Sequence, residues 1–450
     1  MPARESSSPT NSPPPASSAW VLALGVGLGS VILFAADLGD EPFVDEYAYL
    51  TQSYQGDRFF SGNPNDPAWL EGLSFDLVPL PKYLIALALR AAGYPRPSPE
   101  AAAAWYRNTH YRWGPPEVLA VARIPSVVMG AAGCVALFAL GSLAVSATAG
   151  LVAAALLALN PLYRLHAHRA MSEAPCEAFL LLALVLGLWG WRRMLSRGSG
   201  FASWILLVGG GVAAGMSVLA KFTGLLAILT LWGWVALGVA LPGVPSGRKL
   251  AVAAAALAAL VMAAAVFVAL NPFLTARPSG ALPAELRELA ELSPLGRFRF
   301  LIDHRRVVSR DQQERFSHNA LKTLSDRVAV VAVQGFGRFG PLGPARSDST
   351  RRFDARQDWG AAIWLPLVVL GAVATVRRGR VQLRGGSPPT AWAVAVWAAV
   401  AVAAVTAYLP LAWDRYLLPI QAPAALLAAQ GFVAGGSWLF QSVRRLSARS

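Results

Sequence analysis

Asp45 and Glu46 stand side by side in FVDEYAYL, residues 43–50, just beyond a long apolar run and among three aromatic residues. A carboxylate beside aromatic rings at a membrane surface is partly desolvated. That raises its proton affinity and suits a general base. The two acids need not act together, because adjacent helical residues diverge by about 100°. Asp45 and Tyr49 share a face at i, i+4. The plainer alternative is a pair of solvated acids at a helix start, where the macrodipole favours them. The residues alone leave both readings open.

Further candidates lie at the ends of other apolar runs. Asp76 and Lys82 flank VPLP, and Lys82 there could meet a specific phosphate or reach up to lipid phosphates. The turn PLYRLHAHRAMSEAP carries Arg164, His166, His168, Arg169 and Glu173. So polar a turn among apolar helices is costly unless it is used. His-x-His is by itself a weak metal signal. LAKFTG contributes Lys221, and LPLAWDRYLLP contributes Asp414, Arg415 and Tyr416. One basic residue at a helix end is ordinarily a headgroup contact. Recurrence at Lys82, Arg169, Lys221 and Arg415 points instead to a shared anionic ligand.

The elements that position these groups are membrane helices. The chain has 450 residues, 55% hydrophobic and only 14% charged, against about 25% charged in soluble domains. Apolar runs of bilayer length recur. We expect an all-α polytopic membrane protein of about ten spans, near 19–38, 117–142, 147–164, 173–191, 202–219, 224–241, 250–271, 359–376, 391–410 and 416–436. The net charge of +14 does not indicate a nucleic-acid partner, since the basic residues form no single stripe. Cys134 and Cys176 lie in or beside apolar runs and read as buried small residues. GVGLG, with Gly25, Gly27 and Gly29, sits inside an apolar run with no strand before it, so it reads as helix packing rather than a nucleotide loop.

Charge sets the expected orientation. Arg192, Arg193, Arg197, Arg248, Lys249, Arg377, Arg378, Arg380, Arg384, Arg444, Arg445 and Arg449 follow alternate spans, in segments free of acids. Those segments are cytoplasmic, with both termini, by the positive-inside rule. The acids other than Glu5 then fall on or near the outer face, in the cell (inner) membrane. The expected organisation is a disordered tail over 1–18 and a membrane module over 19–271 with an outer loop at 39–116. A second outer loop over 272–358, C-terminal helices over 359–436 and a basic tail over 437–450 complete it. The segment at 19–38 reads as an uncleaved span rather than a signal peptide. Residues 77–93 read as an interfacial helix, and 45–55 as a short helix. The second loop holds Arg297, Arg299, Arg305, Arg306, Arg310 and Arg315, which could face anionic lipid or a phosphorylated substrate.

Taken in order, these pieces resemble the GT-C membrane glycosyltransferases, in particular the protein O-mannosyltransferase and aminoarabinose transferase group. FVDEYAYL resembles that group's acidic first-loop motif. LVPLPKYLIAL resembles its juxtamembrane Pro-Pro-Leu-Gly-Lys motif, with Val78 and Pro81 as departures. VARIPSVVMGAAGCVALFAL and AGLVAAALLALNPLYRLHAHRAMSEAP resemble its second to fourth spans, and AKFTGLL and DRYLLP its later turns. The resemblance implies an inverting transferase acting at the outer face. It would move a sugar from a polyprenyl-phosphate donor to a hydroxyl or amine of a lipid, glycan or protein acceptor. It implies Asp45 as the base, with Glu46 beside it, and Lys82 and Arg415 at the departing phosphate. Glu173 would orient a substrate, with Tyr49, Asp76, Arg169, Lys221 and Tyr416 around it. Some relatives hold a divalent metal near the first-loop acid, and here Asp76 and one histidine could do so.

The leading alternative is a transporter or lipid flippase. Transporters place charge near the bilayer midplane and break helices there, whereas these span centres are almost free of charge. A non-catalytic scaffold on the same fold is disfavoured by Asp45, Lys82 and Arg415. A ligase moving a whole glycan is a third possibility on the same architecture. The lack of a P-loop or dinucleotide-binding motif argues against a nucleotide-sugar donor.

Overall fold

The computed structural model describes residues 16–278, 281–341, 343 and 352–447. The expected tail is therefore outside the described residues through residue 15, as are 448–450. The described chain consists of helices and turns, with one isolated antiparallel bridge between Ala320 and Leu411. The main helices are α1 (Ala16–Ala35), α2 (Val44–Thr51), α3 (Pro79–Ala91), α4 (Pro116–Ala144), α5 (Ala147–Ala158), α6 (Pro161–Ala167) and α7 (Glu173–Arg197). They continue as α8 (Phe201–Ala220), α9 (Leu225–Ala240), α10 (Ser246–Ala269), α11 (Pro294–Arg315), α12 (Ala361–Arg384), α13 (Thr390–Tyr408) and α14 (Gln421–Ser447).

Eight helices among the described residues are long and apolar enough to cross a membrane, nine if one bent pair is a single span. The described apolar part of α1, Ala19–Ala35, is shorter than these. The span expected at 147–164 is instead broken into α5 and α6, which meet at 69°. Pro161 has no N–H to continue the ladder. Asn160 accepts from the Tyr163 N–H at 2.9 Å, and its side-chain amide donates to Phe339 O (2.9 Å) and Gln421 Oε1 (3.0 Å). The freed backbone groups are thus met by protein, which is the condition for an irregular backbone in a membrane.

Small residues and tryptophans join the bundle. A Cβ on Gly371 of α12 would overlap the Leu427 carbonyl of α14, and one on Gly211 of α8 would overlap that of Ala259 in α10. The GVGLG stretch packs less than its composition suggests. A Cβ on Gly27 would lie 3.2 Å from the Val135 side chain, but one on Gly25 or Gly29 would meet open space. Trp191 donates to Trp234 O at 2.8 Å, and Trp234 to Ala393 O at 2.7 Å, tying α7, α9 and α13 together. Both cysteines are buried and free. The helix expected near 77–93 is α3. Its Leu80, Tyr83, Ile85 and Leu89, which lie on different sides of the helix, are all buried against protein.

Gly371→Ala should force α12 and α14 apart and lower stability by about 1–3 kcal/mol. Thermal unfolding in detergent would measure this, with Gly25→Ala, which meets no neighbour, as the silent control.

Candidate active site

The first acidic motif divides its two carboxylates between two tasks. Glu46 is fully buried. It accepts the Phe43 N–H at 2.8 Å, which caps α2, and the Ala170 N–H at 2.8 Å. Arg123 of α4 grips both of its oxygens at 2.7 Å. The same guanidinium donates to the carbonyls of Leu38 and Asp40, each at 2.8 Å. Glu46 was expected as a catalytic partner of Asp45. With its oxygens occupied and no solvent access, it is instead a structural acid. Arg123, which organises it, was not among the sequence candidates.

Asp45, about a third of a turn away, points elsewhere and forms an ion pair with Arg415. Both side chains keep some exposure, 29% and 19%. Arg415 sits in the tight turn Asp414–Tyr416, its guanidinium 4.8 Å from the Trp413 ring centroid. Tyr416 stacks on that Trp413, with centroids 6.1 Å apart. The Asp414 carboxylate accepts the Arg415 N–H at 2.6 Å and fixes the turn. Burial alone would lower the Arg415 pKa, but Asp45 and its neighbours push it up overall.

A second ion pair lies within electrostatic reach of the first. Glu173, the first residue of α7, accepts from Lys221 Nζ at 2.8 Å and from Ser172 Oγ at 3.1 Å. Burial would lower the Lys221 pKa, but Glu173 outweighs it and the net direction is up. Glu173, Lys221 and Arg415 line a closed, narrow cleft with Cys176, Glu177 and Thr223. Glu177 was missed in the sequence, although it follows Glu173 by one helical turn inside an apolar helix, where an acid is a signal. Tyr49 is buried beside Ser172, near both Glu173 and Asp45, and its hydroxyl pKa is raised chiefly by that burial.

Lys82 does not join this group. It is fully buried in α3, and its amine donates to Gln55 Oε1 (2.8 Å), Ser74 O (3.1 Å) and Leu73 O (3.2 Å). The expected contact with a departing phosphate is therefore corrected: all three donors are spent on the first outer loop. Burial pushes its pKa down to about 7, against the opposing pull of Asp76. Asp76 accepts from Tyr106, which in turn accepts from Gln52 at 2.9 Å. From α11, Arg305 donates to Phe75 O at 3.1 Å and lies 3.9 Å from Asp76. Arg297, by contrast, is buried and donates to the carbonyls of Phe273, Ala276, Leu289 and Ala290. It holds the second loop together. Arg169 is buried with its guanidinium 4.4 Å from the Phe43 ring centroid.

These residues do not fit a resident metal. Asp45 and Glu173 are each answered by a cation. Asp76 has His304 3.9 Å away, but among the described residues no third donor joins them within ligand reach. The His-x-His pair also separates: His166 faces Asp414 at 3.9 Å, and His168 faces Asp37 and Asp40.

No family model matches the chain. No curated protein matches it either. Solved structures do. The oligosaccharyltransferase of Archaeoglobus fulgidus in its apo form is 14% identical, with a TM-score of 0.56 over 94% of this chain and 52% of that one. The archaeal oligosaccharyltransferase AglB from the same organism, in complex with an inhibitory peptide and a dolichol-phosphate, is 13% identical. Its TM-score is 0.53 over 96% and 52%. ArnT from Cupriavidus metallidurans, bound to undecaprenyl phosphate, is 14% identical with a TM-score of 0.49 over 93% and 60%. These are GT-C glycosyltransferases. The chain has the GT-C fold. It spans about half the length of the two archaeal structures.

Two measurements follow from the site. Arg123→Met strands the Glu46 charge in the interior and should destabilise the protein by about 3–5 kcal/mol, with Glu46→Gln in the same chain restoring part of the loss in thermal unfolding. Lys82 sheds its proton near pH 7 when folded and near pH 10.4 when unfolded. The unfolded chain therefore binds the extra proton between those values, and stability rises with pH across them. Wild type should gain on Lys82→Met between pH 7 and 9, and parallel unfolding curves would rule this out.

Proposed function

We propose that the protein is an inverting glycosyltransferase that moves a sugar from a polyprenyl-phosphate donor to a hydroxyl or amine of a lipid, glycan or protein acceptor. The observation that carries this reading is the run of alternating charge Asp45–Arg415–Glu173–Lys221 at one end of a membrane helix bundle. A polyprenyl phosphate keeps its tail in the bilayer and its phosphate at the surface. A base and two cations at a span end meet that phosphate at the right depth. The archaeal neighbour that holds a dolichol-phosphate shares the fold and supports the same substrate class.

In this mechanism Asp45 accepts the proton of the acceptor. The acceptor oxygen or nitrogen attacks the anomeric carbon as the bond to the phosphate oxygen breaks, and the anomeric centre inverts. Arg415 and Lys221 take up the charge that develops on the leaving phosphate. Fixed cations in a partly dry site are well suited to this. Glu173 holds Lys221 in place, and Tyr49 closes the site beside them. Holding both substrates at one surface adds the advantage of proximity. The site faces the outer side of the cell membrane, on the evidence of the acid-free basic segments.

The test is transfer of radiolabelled sugar from polyprenyl phosphates to native lipid and protein extracts, by membranes holding equal amounts of each protein. Asp45→Asn should lower transfer at least about 100-fold, and Arg415→Met should do likewise. Equal transfer by Asp45→Asn and wild type removes Asp45 as the base. Failure of the purified protein to bind any polyprenyl phosphate removes the glycosyltransferase reading.

A further inference from the structure

Glu177 is an acid for which the proposed mechanism has no use. It follows Glu173 by one turn of α7, and so lies about 6 Å further along the helix, toward the bilayer interior. It is only 3% exposed. It lines the cleft with Glu173, Cys176, Lys221, Thr223 and Arg415. Among the described residues nothing hydrogen-bonds to its carboxyl group. Nearby acids differ in this. Asp45, Glu46, Asp37 and Glu173 are each answered by a cation, Arg415, Arg123, Arg164 and Lys221 in turn. A buried, unpartnered carboxyl group in an apolar helix is costly. This one opens on the cleft in which Arg415 and Lys221 are placed to meet the donor phosphate.

Charge decides which state of Glu177 suits that cleft. Glu173 and Cys176 face it from its own helix, Lys221 from the turn after α8, and Arg415 from the turn after α13. Tyr163 of α6 is within electrostatic reach, but its hydroxyl is spent on Gly130 O at 2.9 Å. The Cys176 thiol lies 3.5 Å from the hydroxyls of Ser217 and Thr223. Of the charged groups, two cations already answer two acids, Asp45 and Glu173. An ionised Glu177 would add a buried negative charge with no partner, which is strongly unfavourable, and it would repel an incoming phosphate. A protonated Glu177 leaves the charges balanced and supplies an O–H. Donated to a phosphate oxygen, that O–H makes a charge-assisted hydrogen bond.

We infer that Glu177 keeps its proton and donates a hydrogen bond to one oxygen of the donor phosphate, so that donor binding depends on that proton. As pH rises and the proton is lost, the hydrogen bond gives way to charge repulsion and affinity falls. The inference rests on the reading of this cleft as the donor site, and names a further residue and a protonation state that the site requires.

The purified full-length protein in detergent is titrated with the methyl phosphodiester of a long polyprenol, whose single negative charge is constant between pH 6 and 9. Wild type should bind at least about tenfold more weakly at pH 9 than at pH 6. Glu177→Gln keeps a hydrogen-bond donor and cannot ionise, so it should hold its pH 6 affinity across the range. Glu177→Leu has no donor and should bind at least about tenfold more weakly than Glu177→Gln at pH 6. Lys82 titrates in the same range but is common to all three chains. Wild-type affinity that is flat with pH, or that falls equally in Glu177→Gln, overturns the inference. So does Glu177→Leu binding as tightly as Glu177→Gln, which removes the hydrogen bond. The comparison of wild type with Glu177→Gln decides the matter even if Glu177→Leu does not fold. No binding by wild type at any pH removes the donor-site reading itself, and this inference with it.

Discussion

The Arg123–Glu46 pair is the contact on which the end of the molecule that carries the candidate site depends. Both side chains are at most 1% exposed, and their two hydrogen bonds are each 2.7 Å. A buried ion pair contributes little net stability unless the remaining donors and acceptors are also met. Here they are, and each extra bond fixes a different piece of chain. Glu46 caps α2 and holds the Ala170 amide, and Arg123 holds the carbonyls after α1. Three segments distant in sequence thus converge on one pair. Asp45, rotated by one residue from Glu46, is presented toward Arg415 as a result. Its direction is set by a neighbour that never meets solvent.

The same logic separates Lys82 from the cations it resembles in sequence. A lysine at a helix start beside the membrane can turn outward to phosphate or inward to carbonyls. In this chain Gln55 and the backbone of Leu73 and Ser74 converge on it from within. Lys82 therefore ties the first loop together. The cations left at the site, Arg415 and Lys221, come from turns between long helices, and each is held by one acid. Their positions are as firm as the bundle itself.

Much of the fold was legible in the sequence because apolar length and basic loops are local signals. The ends of α4, α7, α8 and α13 fall close to the apolar runs. The break at Asn160–Pro161 carried a local mark, but its 69° bend depends on Phe339 and Gln421, more than 170 residues away. The site was legible in part for the same reason. Charged residues at span ends stand out, so Asp45, Glu173, Lys221 and Arg415 could be picked by type. Which of them pair is a property of packing. Glu46 and Lys82 look as available as their neighbours until burial is known. Arg123 did carry a signal: an arginine just inside an apolar helix needs a buried acid. Asp37, Asp40, Glu41, Asp45 and Glu46 all follow the preceding span, so which acid answers Arg123 is again a property of packing.

The Asp45–Arg415 pair then bears on how the proposed reaction would be ordered. A carboxylate held by a guanidinium is not free to receive a proton. A donor phosphate entering the cleft would compete for Arg415, and a dianionic or monoanionic phosphate is a strong partner for a planar guanidinium. Drawing Arg415 toward the phosphate would release Asp45 toward the acceptor. Lys221 cannot substitute without leaving Glu173, so the second pair keeps a cation in the cleft while the first one opens. Such an arrangement makes the base available only when the donor is in place. It thereby links acceptor activation to donor binding through one side chain, with no larger movement of the helices required.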